Sequence, residues 1–407
     1  MPVKSPSRCG IPMGAVIPPR VVGQMIHQQF MGYTMFVIDA DAHVMETDAA
    51  WAHLEKEFYA RRPVPVVFPE DTSLTVFNAA WLIDEKVRLF GASPPIGTRS
   101  LVKKYTMPSQ TLESVAARLG DMDKRRIDMQ VVHTTFGLLN ICEDPVLEGA
   151  LMRSYNTFMA EKCSQSGGRL KYNALVPFRD PDAATAEIRR VASMGGACAV
   201  FMRGLEWDSP VSDPAFYPIY AEAERQNLAI AMHLGAGSPK MRTVFEYQKR
   251  IPGEEPFWPP RSKRLIGPMT VQFGFYSLME SPVSIDFPKL RWAFLEAAGA
   301  EWMIGAIGAM ERAGKFNARK MLEDGRVFIC AEPTEDLQYL ANKFGSDCLV
   351  IGSDMPHQDE AAHENLVDEF EARSDLPAAL MEKLLWKNAA RLYDLDPASV
   401  KKQALPA

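Results

Sequence analysis

Two histidines and two aspartates stand where this chain could hold a metal ion. Asp41 and His43 end the run Phe36-Val-Ile-Asp39-Ala-Asp41-Ala-His43. His233 ends Leu228-Ala-Ile-Ala-Met-His233, and Asp354 follows Cys348-Leu-Val-Ile-Gly-Ser353. In an extended segment alternate side chains point to one side, so Asp41 and His43 can face one cation together. Two imidazoles and two carboxylates suit one divalent ion, Zn2+ foremost, and Mn2+ or Fe2+ nearly as well. Each piece alone has a plainer explanation: a D-x-H pair is commonly structural, a single histidine can be a bonded core residue, and an aspartate can cap a turn. Three such pieces, each at the end of an apolar run, argue for one metal site.

Other groups sit at similar positions. His357, three residues past Asp354, is placed to orient a ligand or touch substrate. Glu296 and Glu332 end two further apolar runs, as acid–base groups, as ligands to a second metal, or as partners of Arg203 and other cations. His133 ends another run and can contact substrate or merely bond a loop. Glu46 and Trp51 read as packing or capping groups. The catalytic candidates are therefore Asp354, His357 and Glu296.

Such residues need elements that bring them to one place. The apolar runs 36–41, 129–134, 173–178, 197–203, 228–233, 291–296, 327–332 and 348–353 predict eight strands buried on both faces. Helical spacing lies between them, as in Leu112, Val115, Leu119 and Met122, or Leu147, Leu151, Tyr155 and Phe158. Asp213-Pro214 reads as a helix start, Asn227 as a stop, and Gly195-Gly196 as the end of the helix before strand four. Eight alternations predict an α/β fold, a (β/α)8 TIM barrel spanning residues 35–400. Strand ends on its C-terminal face carry the chemistry in such barrels.

Two connections exceed the usual length, about 44–110 after strand one and 234–290 after strand five. Both are aromatic-rich. The first holds Phe68, Phe77, Trp81 and Phe90; the second includes Phe257, Trp258, Phe273, Phe275 and Tyr276. They are expected to roof an apolar pocket lined by His133, Arg203, Trp81, Trp258 and Phe275, with a dimer interface as the alternative.

Composition bounds the rest. The chain has 407 residues, 47% hydrophobic and 24% charged, so it can bury a large core without staples. A net charge of −6 and the lack of a basic stripe argue against nucleic acid as a partner. The six cysteines are scattered without C-x-x-C or framework spacing, which fits a reducing cytoplasm. No run of about 18 apolar residues predicts a membrane span. Residues 1–34 are proline-rich, lack an apolar signal core, and read as an extension, either disordered or an oligomer arm. A homo-oligomer, commonly a dimer, is the expected assembly for a soluble enzyme.

Seven segments resemble the amidohydrolase superfamily. They are Asp39-Ala-Asp-Ala-His43-Val-Met-Glu46, Met122 to Val131, Tyr155-Asn156, Leu175 to Pro181, Phe294-Leu-Glu296-Ala-Ala-Gly299, Gly352 to His357, and Lys387 to Tyr393. The likeness is in particular to its mononuclear branch, which includes aminocarboxymuconate-semialdehyde and γ-resorcylate decarboxylases. The resemblance implies a TIM barrel and places the family's metal ligands on Asp41, His43, His233 and Asp354. Departures accompany it. Asp41 stands where many relatives have the first histidine of H-x-H. Val200-Phe-Met-Arg203 offers no bridging lysine or glutamate for a second metal. Glu296 stands where the decarboxylases commonly carry a histidine.

The resemblance first implies hydrolysis of an amide, ester, lactone or thioester, with Asp354 taking the proton of a metal-activated water. Non-oxidative decarboxylation of an aromatic or unsaturated acid is the alternative. Iron-dependent oxygenation, using Glu296 and Glu332, is a second alternative. The aromatic insertions favour a small apolar or aromatic substrate in each case.

Overall fold

Eight of the apolar runs become parallel strands in a computed structural model, which describes residues 35–72, 78–88, 94–98, 104–241, 263–358 and 362–400. They are β1 (Ile38–Val44), β2 (Met129–Thr134), β3 (Leu170–Ala174), β4 (Ala197–Met202), β5 (Ala229–His233), β6 (Trp292–Leu295), β7 (Val327–Cys330) and β8 (Leu349–Val350). Each pairs with the next in chain order. The remaining gap is bridged where Ala40 N donates to Ile351 O at 2.9 Å and Asp354 N to Asp41 O at 2.8 Å. The sheet thus bends into the expected barrel.

Alternation along the strands divides core from shell. Ala229 and Ala231 of β5, and Ala293 and Leu295 of β6, join Ile38 and Met129 in one interior cluster. Tyr393 packs on that cluster and donates to Ala40 O at 3.1 Å. The intervening residues meet the helices outside: Trp292 against Tyr220, and Phe294 against Phe275. Those helices include α1 (Val115–Lys124), α2 (Pro145–Ser164), α3 (Pro181–Met194), α4 (Tyr217–Arg225) and α5 (Lys263–Met279). Asp144 and Asp180 cap α2 and α3, each with proline at the first helical position. Gly195 and Gly196, at φ +78° and +85°, end α3 as the sequence predicts.

One expectation needs correction. Strand three lies earlier than 173–178, because Leu175 N turns to Asn156 Oδ1 and Pro177 has no N–H for the ladder. In the long connection after strand one, Val64–Val67, Ala79–Ile83 and Lys86–Arg88 pair as an antiparallel sheet. Phe275, expected to line the pocket, is fully buried on α5, edge-on to Phe294 and Trp302, in the outer packing layer. Phe77, Phe90, Phe257, Trp258, Cys9 and the 1–34 extension lie outside the described residues. The other five cysteines are buried free thiols. No helix among the described residues is long and apolar enough to cross a membrane.

Candidate metal centre

A local irregularity in β1 aims the first two ligands. Ile38 faces Met129 and His43 faces His133, so β1 takes one residue more than β2 over the same span. The extra residue is a bulge between Asp39 and Ala42. It breaks the alternation, and the two aspartates take different partners. Asp39 accepts from Gln130 Nε2 (2.9 Å), Ser353 N (2.9 Å) and Ser353 Oγ (2.5 Å). Asp41 meets imidazoles instead.

Asp41 Oδ1 lies 3.3 Å from His233 Nε2, 3.5 Å from His43 Nε2 and 3.6 Å from His133 Nε2, yet accepts no hydrogen bond. His43 Nε2 and His233 Nε2 are 3.1 Å apart. Each ring's Nδ1 donates to a carbonyl oxygen, Thr134 O for His43 and Leu234 O for His233. A carbonyl can only accept, so each Nδ1 carries a proton, and once its other proton is absent each ring presents a lone pair on Nε2 to a cation. A tetrahedral ion with ligands at about 2.0–2.2 Å separates those ligands by about 3.3–3.6 Å. Of the observed edges, Asp41–His43 at 3.5 Å and Asp41–His233 at 3.3 Å fall in that range, and His43–His233 at 3.1 Å lies 0.2 Å below it. Asp354 Oδ1 adds a fourth donor 3.3 Å from His43 Nε2. Asp41, His43 and His233 thus form one group of ligand-type atoms, from β1 and β5, while Asp354 forms a second with His43 and His357, and His43 is common to both.

Protonation suits the same task. Burial alone would raise the Asp41 carboxyl, but His233 and His133 hold it well below the usual carboxylate range. Burial, with His357 and His233 facing it, keeps His43 well below the ordinary histidine value. Burial likewise takes His133 down to about 4. His233 runs the other way: burial would lower it, but Asp41 and Glu296 carry it up to about 9. That proton marks the point of most negative potential, where a divalent cation competes with it.

Glu296 and Asp354 share a backbone device. Both hold left-handed φ angles, +48° and +53°, rare for residues with a side chain and concentrated at functional sites. Glu296 Oε2 comes to 3.5 Å from His233 Nε2. His357 Nδ1 bonds Asp354 Oδ1 at 2.7 Å, and its ring lies over His43 with centroids 4.2 Å apart. His357 Nε2 meets Thr135 Oγ1 at 2.9 Å.

The other expected residues are placed differently. His133 is fully buried behind Asp41, with Asn173 Nδ2 3.0 Å from its ring nitrogens, so it backs the centre rather than lining a pocket. Arg203 forms a buried pair with Glu206 and also donates to Gly137 O (3.1 Å) and Leu139 O (2.7 Å). It clamps the loop after β2. Glu332 bonds His363 Nε2 at 2.6 Å, while Glu296 faces His233, so the two carboxylates have separate partners. Trp81 is buried edge-on to Trp51 and Phe136 beside the same loop. Thr135 and Asn173 drew no notice in the sequence, since a polar residue beside a strand end has no spacing of its own.

A family model described as amidohydrolase matches residues 38–395. The 2-amino-3-carboxymuconate-6-semialdehyde decarboxylase of Caenorhabditis elegans is 23% identical over 361 residues, covering 74% of this chain and 86% of that protein. A γ-resorcylate decarboxylase of Rhodococcus jostii is 25% identical over 144 residues, but the match spans 31% of this chain and 44% of that one. Among solved structures, an amidohydrolase of Mycobacterium avium subsp. paratuberculosis has a TM-score of 0.72 at 18% identity, over 90% of this chain and 99% of its own. The 5-carboxyvanillate decarboxylase of Novosphingobium aromaticivorans, solved with manganese and 4-hydroxy-3-methoxy-5-nitrobenzoic acid, has a TM-score of 0.60 at 14% identity, covering 89% and 96%. At these identities the structural likenesses show the fold.

Proposed function

Since the chain belongs to the amidohydrolase family, we propose that it is a metal-dependent, non-oxidative decarboxylase of a small aromatic or unsaturated carboxylic acid. The observation that carries this reading is Asp354 Oδ1, bonded by His357 and 3.3 Å from His43 Nε2, the histidine shared with the Asp41–His43–His233 group. A relative matching 74% of the chain is named a decarboxylase, which favours loss of CO2 over the hydrolysis expected first.

Asp41, His43 and His233, with Asp354 reaching in beside His43, would hold the ion, Mn2+ or Zn2+ by ligand type. When bound, it supplies the positive charge that orients the substrate's carboxylate and neighbouring oxygen. Asp354 delivers a proton to the carbon bearing the carboxylate. The C–C bond then breaks, its electron pair returns to the substrate framework, and CO2 leaves. His357, at the more exposed edge of the centre, returns a proton to Asp354. Glu296 sets the far wall beside His233.

Hydrolysis stays as a second reading because of Glu296, a carboxylate on the opposite side of His233 that can also accept a proton from water. The two separate in D2O with Mn2+ and Zn2+ supplied. A decarboxylase releases CO2 from an aromatic acid and leaves one deuterium on the carbon that lost it. Turnover of esters, lactones or amides with no CO2 from any acid would overturn the decarboxylase reading.

A further inference from the structure

We infer that Glu46 is a positioning residue for the metal centre: its buried carboxylate fixes residues 134–136, and through them the rings of His43 and His357. The inference rests on the metal-dependent reading above and deepens it.

Glu46 lies just past the end of β1, three residues beyond His43, and is 3% exposed. Its Oε1 accepts from Thr134 Oγ1 at 2.5 Å and from Thr135 N at 3.2 Å. Its Oε2 accepts from Phe136 N at 2.8 Å. One carboxylate thus gathers three donors from three consecutive residues as β2 turns into its loop. Those residues face the centre with their remaining groups. Thr134 O receives His43 Nδ1–H at 3.1 Å, which fixes the ring's tautomer and leaves Nε2 to bind metal. Thr135 Oγ1 meets His357 Nε2 at 2.9 Å, and His357 Nδ1 holds Asp354 Oδ1. The turn has little slack, since a Cβ on Gly137 would come within 2.6 Å of Thr134 Cγ2.

A carboxylate is the group this place asks for. All three partners are donors, and an amide would aim its own N–H at one of them. Capping the insertion is the weaker explanation, because the three donors to Glu46 all belong to the strand-two turn.

The test is Mn2+ binding to the full chain, read by the EPR signal of free Mn2+, in wild type, E46Q and E148Q. Glu148 is the control, a buried carboxylate on α2 that pairs with Arg179 and Trp207 and touches no ligand residue. E46Q is expected to bind Mn2+ roughly 10–100-fold more weakly. E148Q is expected to lower Tm and keep wild-type affinity. T135V, which cuts the link to His357 without touching the carboxylate, should weaken binding in the same direction and decides the matter if E46Q does not fold. Folded E46Q with wild-type affinity overturns the inference alone, as does wild-type affinity in T135V should E46Q not fold. Wild type that binds no Mn2+ overturns the metal reading and this inference with it.

Discussion

Asp354 is the residue on which the proposed chemistry turns. Its Oδ1 lies 3.3 Å from His43 Nε2 and bonds His357 Nδ1 at 2.7 Å. Asn keeps the shape but cannot carry the proton, so D354N should lower kcat by roughly 10²–10⁴. Circular dichroism and Tm should stay near wild type, and a fully active D354N would remove the residue from the mechanism. H357Q acts one step back and should cost roughly 10–100-fold. The sequence made Asp41, His43, His233 and Asp354 stand out as candidate ligands because each closes an apolar run, where a polar residue is conspicuous. It could not separate Asp39 from Asp41. Both are aspartates on the same alternation, and only the bulge between Asp39 and Ala42 gives them different partners.

At the scale of elements, that bulge is held by a buried chain of hydrogen bonds. Arg118 on α1 donates to Gln130 Oε1, Gln130 donates to Asp39, and Asp39 accepts from Ser353 in the turn after β8. Ser353 Oγ also accepts from Met355 N. S353A leaves buried groups without partners and should cost about 1–3 kcal/mol in urea unfolding. A loss below 0.5 kcal/mol, roughly the scale of an ordinary surface substitution, would show that the chain is not under load. The segment beyond this turn is pinned by His363, which donates its N–H to Ser353 O and lies between Glu332 (2.6 Å) and Glu369 (2.7 Å). Burial would lower the His363 pKa, but Glu332 and then Glu369 raise it. The folded chain therefore holds this proton more tightly than the unfolded one. The extra stability is complete below about pH 6.5 and is lost as pH rises through the elevated folded value. Wild type should exceed H363Q by about 1–2 kcal/mol near pH 6, less than two full charged bonds because Glu369 is half-exposed, and the gap should close towards pH 9. A constant gap would mean that shape, not charge, does the pinning. None of this network was legible, because its members lie far apart in sequence and each looks ordinary locally.

For the whole molecule, the barrel was legible because eight apolar runs recur with helical spacing between them, and closure follows from repeating one crossover eight times. The insertions were harder. Aromatic content suggested a roof over a pocket, yet Phe275 serves the outer shell and Trp81 packs on Trp51 and Phe136, since aromatic side chains fill any large apolar space. The proposed ligands, drawn from β1, β5 and the turn after β8, would join the two sides of the barrel. An ion bound there ties the first, fifth and last strands together and favours the folded state by mass action. At a thousandfold excess over Kd the gain is about 4 kcal/mol. Calorimetry on chelator-stripped protein should therefore show Tm rising by several degrees as Mn2+ or Zn2+ is added, while Mg2+ leaves it nearly unchanged. D41N removes a ligand but keeps the bulge and its hydrogen bonds, so its Tm should no longer respond to the ion. If D41N and wild type respond alike, the stabilising ion binds elsewhere on the molecule, and the centre around His43 is held by its own protons.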